Sequence, residues 1–506
     1  MTIFTTDPRT GTTRDTGIVK SSADEVVRKV ASAAQAFRVI GGFDRAWRSG
    51  LLRSLAGGLE RNRESVVPIA ESETGLSSAR LNAELTRCVL QFQLFADAVD
   101  EGSFLEATID NATENELGRQ PDVRRLLVGV GPVAVFGSSN FPFAFSVPGG
   151  DTASAIAAGN PVVLKAHGAH PLTSRACFEA LSLAATDYGA PEGLLGIVYG
   201  QDAGLSLVAD EGVRAVSFTG ALSTGRILIE AINKRPEPIP FYGELSSVNP
   251  FIVLPGAIQN STRLKEISVG LADSVLGSSG QLCTKPGVAF VPEGTDGDHL
   301  ISLLAERFER AETAVLLNDR VESSFHNSRD RLLAIAGMER VGQEPDHSTS
   351  GSHASPSLLT IDATETFGTI IEEAFGPLII IVRYSTQGDL QQALLSVPPS
   401  LTASIHSAET DRASVVDLIA LVQPRTGRLV FDGYPTGVRV SWGQHHGGPW
   451  PSTNTLHTSV GVSSMRRFLR PVAWQNAPSY VLPDELHDGY LGIPRRIDGF
   501  LHDSQP

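Results

Sequence analysis

Cys283 lies in the stretch Gly280-Gln281-Leu282-Cys283-Thr284-Lys285-Pro286-Gly287, framed by glycines and without regular periodicity. Such a loop lets backbone and ligand approach closely. It suits a thiol that attacks a carbonyl while a local amide points at the developing oxyanion. The other fate of a free cysteine is that of a small buried hydrophobe, and which applies depends on whether the neighbours favour a reactive thiol. Three further segments accompany it: Phe136-Gly137-Ser138-Ser139-Asn140-Phe141-Pro142, Phe241-Tyr242-Gly243-Glu244-Leu245 and Glu372-Glu373-Ala374-Phe375-Gly376-Pro377. A lone glutamate such as Glu244 in a turn reads as a solvated charge. Its apolar flanks, Phe241, Tyr242 and Leu245, would instead raise its pKa toward that of a general base. Asn140 follows a short valine-rich run, where asparagine often serves only as a turn residue.

In this order and at these separations the four segments resemble the aldehyde dehydrogenase superfamily. Ser146–Ala155, His445-His446-Gly447-Gly448-Pro449 and Arg466–Pro471 are similar to the branch holding 2,5-dioxovalerate (α-ketoglutaric semialdehyde) dehydrogenases and a bacterial NADP-linked fatty aldehyde dehydrogenase. The resemblance runs from about Phe4 to about Gly499. It implies NAD(P)-dependent oxidation of an aldehyde to an acid through a thiohemiacetal and a thioester on Cys283, with no metal. Asn140 and the Cys283 amide would form the oxyanion hole, where one donor contributes on the order of 3 kcal/mol to the barrier. Glu244 would activate the hydrolytic water, and His446 would tune the thiol or relay a proton. Phe141, Phe145, Leu282 and Trp442 would line the substrate pocket.

For the cofactor, NAD or NADP, the resemblance implies that Lys165 binds the adenosine ribose and Glu373 the nicotinamide ribose, with Phe375 beside the ring. NAD-selective relatives often carry a glutamate at the position of Gly168, and NADP-linked ones an arginine around Gln201-Asp202-Ala203; this chain has neither. Gly129-Val130-Gly131-Pro132-Val133-Ala134 matches a dinucleotide fingerprint, but its second glycine leads into a strand and not a helix. Gly220-Ala221-Leu222-Ser223-Thr224-Gly225 is the better phosphate loop, because it follows a strand ending at Phe218 and opens a helix. Relatives often carry serine where Ala221 stands. His167 and His170 read as ordinary polar loop residues.

The aldehyde is not specified. Dioxovalerate would need a cation for its carboxylate, and Arg87, Arg439 and Arg124 are candidates. A fatty or aromatic aldehyde would suit the aromatic lining. A CoA-acylating enzyme and an inactive binding paralogue remain as other classes, and the presence of Glu244 argues against the former.

At 506 residues two or three domains are expected. The chain carries 41% hydrophobic and 19% charged residues, ordinary for a globular protein. Its net charge of −15, with no basic cluster among aromatics, disfavours nucleic acid as a partner. Cys88, Cys177 and Cys283 form neither a disulfide framework nor a metal-ligand spacing, which suits a reducing cytoplasm. The amino terminus lacks a signal-peptide pattern and no apolar run would span a bilayer, so the expectation is cytoplasmic without membrane contact.

Periodicity supplies the elements that must position these groups. Ser22-Ala23-Asp24-Glu25 reads as a capping box opening a helix, and helical patterning continues over 45–61 and 79–99. Short runs at 133–136, 162–165, 196–199 and 215–218 alternate with helices at 151–158 and 172–188, which predicts a doubly wound parallel sheet. A second α/β pattern from about 249 holds strands at 288–291, 378–382, 403–406 and 429–431 and a helix at 299–312. The expected fold is thus α/β. It comprises helices and a Rossmann-like cofactor domain over 1–248, a catalytic thiol domain over 249–448, and a return and oligomerisation segment over 449–506. A strand near 123–130 would belong to that segment, and the family pattern makes the protein a homodimer or homotetramer. The stretch 347–357 reads as a surface loop.

Overall fold

The computed structural model describes residues 1–342, 350–366 and 371–504. Three sheets carry most of the architecture. The first has five parallel strands in the spatial order Phe241–Glu244, Ala215–Thr219, Val133–Phe136, Val162–Lys165 and Leu195–Val198. The chain winds outward from Val133–Phe136 to one side, then returns to the other. That strand is therefore the topological switch point, where a crevice opens beyond the carboxyl ends. The glycine match at 129–134 sits at the opposite end, with the Gly131 amide donating to Asn160 Oδ1 at 2.9 Å.

The second sheet has seven strands in the order Glu339–Val341, Ser357–Asp362, Leu378–Tyr384, Val288–Pro292, Pro250–Val253, Ser400–His406 and Thr426–Phe431. All pairings are parallel except that of Glu339–Val341. Only the short link from Leu245 to Asn249 separates the end of the first sheet from the start of the second. The carboxyl end of one edge strand thus meets the amino ends of the second sheet's central strands, and the Cys283 loop, which feeds Val288–Pro292, falls at this meeting.

The third sheet joins distant parts of the chain in the order Leu469–Gln475, Val123–Gly129, Thr108–Asp110, Arg495–Ile497 and Phe500–His502. The strand expected near 123–130 lies here, outside the two main sheets. Leu469–Gln475 pairs with it antiparallel, from Leu469 opposite Gly129 to Gln475 opposite Val123. Among the described residues, no helix is long and apolar enough to cross a membrane.

Local sequence explains most boundaries. Ser22 Oγ accepts the Glu25 amide at the start of helix Ala23–Ile40, and the helix read at 45–61 is Arg45–Arg61. Some readings change. Helix Arg63–Thr74 was missed because Pro68 interrupts its pattern, although Val66, Val67 and Ala70 are buried. The helix read at 299–312 starts earlier, at Thr295. Of the loop read at 347–357, residues 347–349 lie outside the described residues; His353–Ala354 is a short strand and Ser357 opens a buried one. Glu244 is no turn residue: it ends strand Phe241–Glu244 and is only 4% exposed.

Two segments singled out in the sequence, Ser146–Ala155 and Arg466–Pro471, meet in a buried ionic network. Arg467 reaches Asp151 at 2.6 Å, with both side chains nearly inaccessible. Its guanidinium also donates to Ser217 Oγ at 3.1 Å, and Ser217 Oγ donates to Asp151 at 2.8 Å. The network ties the 462–468 turn to helix Gly150–Ala157 and to strand Ala215–Thr219. Asp151→Asn would leave a buried guanidinium without its counter-charge. A loss of about 3–5 kcal/mol is expected, seen as a lowered midpoint of thermal unfolding by circular dichroism.

Candidate active site

The thiol loop is held by groups from three directions. Asn249 Nδ2 donates to the Cys283 carbonyl at 2.8 Å and to the Lys285 carbonyl at 3.0 Å. Asn140 Nδ2 donates to the Gln281 carbonyl at 2.9 Å, and Gln281 Oε1 accepts the Leu317 amide at 2.9 Å. Gly280 has φ +67°, and an added Cβ would collide with the Gly376 carbonyl, so glycine is required there on two counts. Among the described residues the Cys283 amide donates to no protein acceptor. It and the second Nδ2 proton of Asn140 are two donors without a protein acceptor among the described residues.

Glu244, Cys283 and His446 come together from three separate parts of the chain. His446 Nε2 lies 3.0 Å from Glu244 Oε1 and 3.6 Å from Cys283 Sγ. The histidine is buried; its amide donates to Thr458 Oγ1 at 2.8 Å and its carbonyl accepts the Ser459 amide at 2.8 Å. Ser459 Oγ also donates to Glu244 Oε2 at 2.8 Å. Ser459 was missed in the sequence: no pattern connects a serine in a polar return to a glutamate 215 residues away.

The charges differ from the sequence expectation. Burial pushes the Glu244 carboxyl up, but the charge and hydrogen bond of His446, then the Ser459 hydroxyl and the thiol, outweigh it. Glu244 is held below its ordinary range, not raised, and is an ionised acceptor at neutral pH. Burial, then the facing Glu244 carboxylate, pushes the Cys283 thiol well up, while Arg87 pulls it down. Cys283 therefore rests as a thiol beside the Glu244 carboxylate and the His446 ring. Cys88 and Cys177 are also raised by burial, but both are packed inside helices with no exposure.

The three donor atoms of Glu244, Cys283 and His446 lie within 4.8 Å of one another. An ion held there would occupy the thiol and the carboxylate together.

Beside the thiol runs a cleft of about 1360 Å³, lined by Asn140, Lys165, Gly168, Phe218, Gly220, Glu244, Cys283, Glu373 and Phe375. Gly168 faces open space. Helix Leu222–Asn233 starts at the cleft with Ala221 as its N-cap and no side-chain cap, leaving its first amides for a ligand. Gly225 does not line the cleft; it lets the helix pack on Leu245. Glu373 accepts Ser246 Oγ at 2.7 Å, and burial raises its carboxyl. Lys165 is lowered to about 8 by burial and then by Arg320. Arg320 and Lys20 also border the cleft and were missed, being distant in sequence from the strands that form it.

Of the expected pocket residues, Phe141 and Phe145 meet edge to face at 5.2 Å, and Phe145 lies 6.3 Å from the His446 ring. Leu282 is half-buried beside the thiol. Trp442 is 48% exposed and has no ring contact with this group. Arg124 is engaged by Asp122 at 3.0 Å and Asp488 at 2.7 Å, so it is not a free cation. His170 is no ordinary loop residue: it is fully buried, with Nε2 2.7 Å from the Ser138 carbonyl just ahead of Asn140.

A nucleotide-sized crevice at a switch point, ending on a cysteine, an asparagine amide and a carboxylate, defines a carbonyl-oxidising enzyme of the doubly wound class. The model of the aldehyde dehydrogenase family matches residues 2–448. Alpha-ketoglutaric semialdehyde dehydrogenase 2 of Azospirillum brasilense is 37% identical, covering 97% of this chain and 95% of its own. The alpha-ketoglutaric semialdehyde dehydrogenase of Acinetobacter baylyi is 36% identical, covering 96% and 93%. In fold, the chain is similar to the glyceraldehyde-3-phosphate dehydrogenase of Methanocaldococcus jannaschii complexed with NADP, with a TM-score of 0.79 at 19% identity over 94% and 98% of the two chains. The chain belongs to the aldehyde dehydrogenase family and is an oxidoreductase of that kind.

A carboxylate facing a thiol disfavours the thiolate, so removing its charge must lower the thiol pKa. Glu244→Gln should therefore shift the pH profile of Cys283 alkylation by iodoacetamide to lower pH, with faster labelling at neutral pH. A profile unchanged or shifted upward would show that His446 alone controls the thiol.

Proposed function

We propose that this protein oxidises α-ketoglutaric semialdehyde (2,5-dioxovalerate) to 2-oxoglutarate with NAD or NADP. The observation that carries the chemistry is His446 Nε2 standing between the Glu244 carboxylate and the Cys283 thiol. The substrate rests on the two relatives of that activity, which match along nearly their whole length.

Cys283 must first lose its proton to the adjoining His446. The sulfur then bonds to the aldehyde carbon, and the Cys283 amide with Asn140 Nδ2 holds the oxyanion. The cleft fits a dinucleotide, with the free amides of helix Leu222–Asn233 for phosphate, Lys165 for the adenosine ribose and Glu373 for the nicotinamide ribose. A nicotinamide held there would supply the hydride acceptor. Glu244 next takes a proton from water, which attacks the thioester; the acid departs and the sulfur is restored. Dividing the reaction over a covalent bond lowers each barrier.

In this reading residues 1–248 hold the cofactor, 249–448 present the thiol, and 449–506 supply the return and the contacts of a homodimer or homotetramer. Three unpaired cysteines suit the cytoplasm. Oxidation of fatty or aromatic aldehydes by the same residues is the second reading, favoured by the Phe141–Phe145 pair. A purified-enzyme screen over short oxo-acids, fatty aldehydes and aromatic aldehydes decides between them. Adding CoA to the same assay tests acyl transfer.

Cys283→Ala should abolish oxidation and leave cofactor affinity unchanged, as read by turnover and fluorescence titration. Glu244→Gln should keep a burst of reduced nicotinamide while steady-state turnover falls by about 10²–10⁴-fold, with an acyl group on Cys283 in the mass spectrum. Simultaneous loss of burst and turnover would place Glu244 in thiol deprotonation.

Cofactor use should be dual. Gly168 offers no carboxylate against a 2′-phosphate, and Lys20 and Arg320 at the cleft counter Asp202. Asp202→Arg should shift preference toward NADP, most at low salt. A wild-type preference beyond about a thousandfold, roughly 4 kcal/mol, would contradict this.

A further inference from the structure

Helix Ser78–Glu101 carries Arg80, Glu84 and Arg87 on one face, at spacings of four, three and seven residues. The face is turned to the segment that follows Asn140. The guanidinium of Arg80 sits 5.0 Å from the Phe141 ring centre, and that of Arg87 5.4 Å from the Phe145 ring centre. Arg80 and Glu84 are used to hold that segment. Arg80 Nη2 donates to the Asn140 carbonyl at 2.6 Å, and Glu84 Oε1 accepts the Phe143 and Ala144 amides at 2.8 and 2.9 Å.

Arg87 stacks on Phe145 and reaches Glu84 through its charge alone. Among the described residues it has no hydrogen bond or ion pair; its Nε is enclosed without an acceptor while the side chain remains half-buried. An enclosed donor with no acceptor is unfavourable, and a guanidinium fork is best satisfied by a planar carboxylate. Phe145, on which Arg87 stacks, is the ring that also neighbours His446. The Arg87 charge is felt at Cys283 itself. The alternatives are ion-paired, exposed or partly engaged: Arg124 is ion-paired, Arg439 is exposed, and Arg428 Nη2 donates to the Pro435 carbonyl, although Arg428 Nε and Arg80 Nη1 also lack an acceptor.

We propose that Arg87 is the specificity-determining residue that binds the distal carboxylate of the substrate, with Phe145 bracing its guanidinium and the aldehyde carbon at Cys283. This rests on the oxo-acid reading given above, and it names the group that selects an oxo-acid over a neutral aldehyde.

The test compares kcat/KM for α-ketoglutaric semialdehyde and for pentanal in wild type, Arg87→Met and Arg87→Lys. The wild type should favour the carboxylated aldehyde. Arg87→Met should lower kcat/KM for that aldehyde about 10- to 100-fold, mainly through KM, and collapse the ratio between the two substrates. Arg87→Lys, which restores charge without the fork, should recover part of the ratio. If Arg87→Met does not fold, Arg87→Gln, which keeps a polar stem over Phe145, is measured in its place with the same expectation.

An equal fall on both substrates would mean that Arg87 acts only through the thiol or the fold, and overturns the assignment. A wild-type preference that survives in the Met or Gln variant overturns it while leaving the substrate reading intact. A wild type with no preference for the carboxylated aldehyde sinks the substrate reading and the assignment together.

Discussion

A single imidazole nitrogen stands between a carboxylate and a thiol, and one nitrogen can carry at most one proton. His446 Nε2 cannot both donate to Glu244 and accept from Cys283 in the same tautomer. Whichever partner it serves sets whether the sulfur is protected or activated. The rest of the architecture exists, in physical terms, to keep those three atoms within reach of one another. Glu244 is fixed by its strand and by its carbonyl, which accepts the Gly220 amide at 3.0 Å. Cys283 is fixed by Asn249 and Asn140, and His446 by Thr458 and Ser459. A shift of an ångström in any of these supports would break the shared contact.

The supports are themselves buried polar networks, which are unforgiving when incomplete. Arg467 and Asp151 lock the C-terminal return against the first sheet, and the return carries Ser459 to Glu244. His170 holds the Ser138 carbonyl, two residues before Asn140. None of these groups reacts. Each satisfies a neighbour whose position the reacting groups need, so a loss there is felt first as misalignment and only then as instability.

Electrostatics at Glu244 run opposite to simple burial. Glu244 stays ionised although enclosed, because His446 and Ser459 together outweigh desolvation. Burial, and then that same carboxylate, keeps Cys283 protonated at rest, and a protonated thiol is slow toward oxidants and stray electrophiles. Arg87 pulls the other way. Burial and the carboxylates of Glu244 and Glu373 nonetheless prevail over Arg87, so a neighbouring base must take the proton before the sulfur can attack a carbonyl.

By itself the sequence determined what depends on near neighbours. Valine-rich runs became the parallel strands, Ser22 capped its helix, and the motifs around Cys283, Glu244 and Asn140 pointed to carbonyl chemistry and to the family. Local signals also failed locally, as where Pro68 hid a helix whose apolar face is buried all the same. Tertiary structure alone decided the direction of the Glu244 pKa, the part of Ser459, the occupied state of Arg124 and the free state of Arg87. Flanking apolar residues suggested a raised carboxyl, but the groups that lower it lie about two hundred residues away in the chain. Periodicity reports which face of an element is buried. It carries no information on which polar atom of a distant element arrives there, and in a low-dielectric interior that arrival sets charge, proton position and specificity.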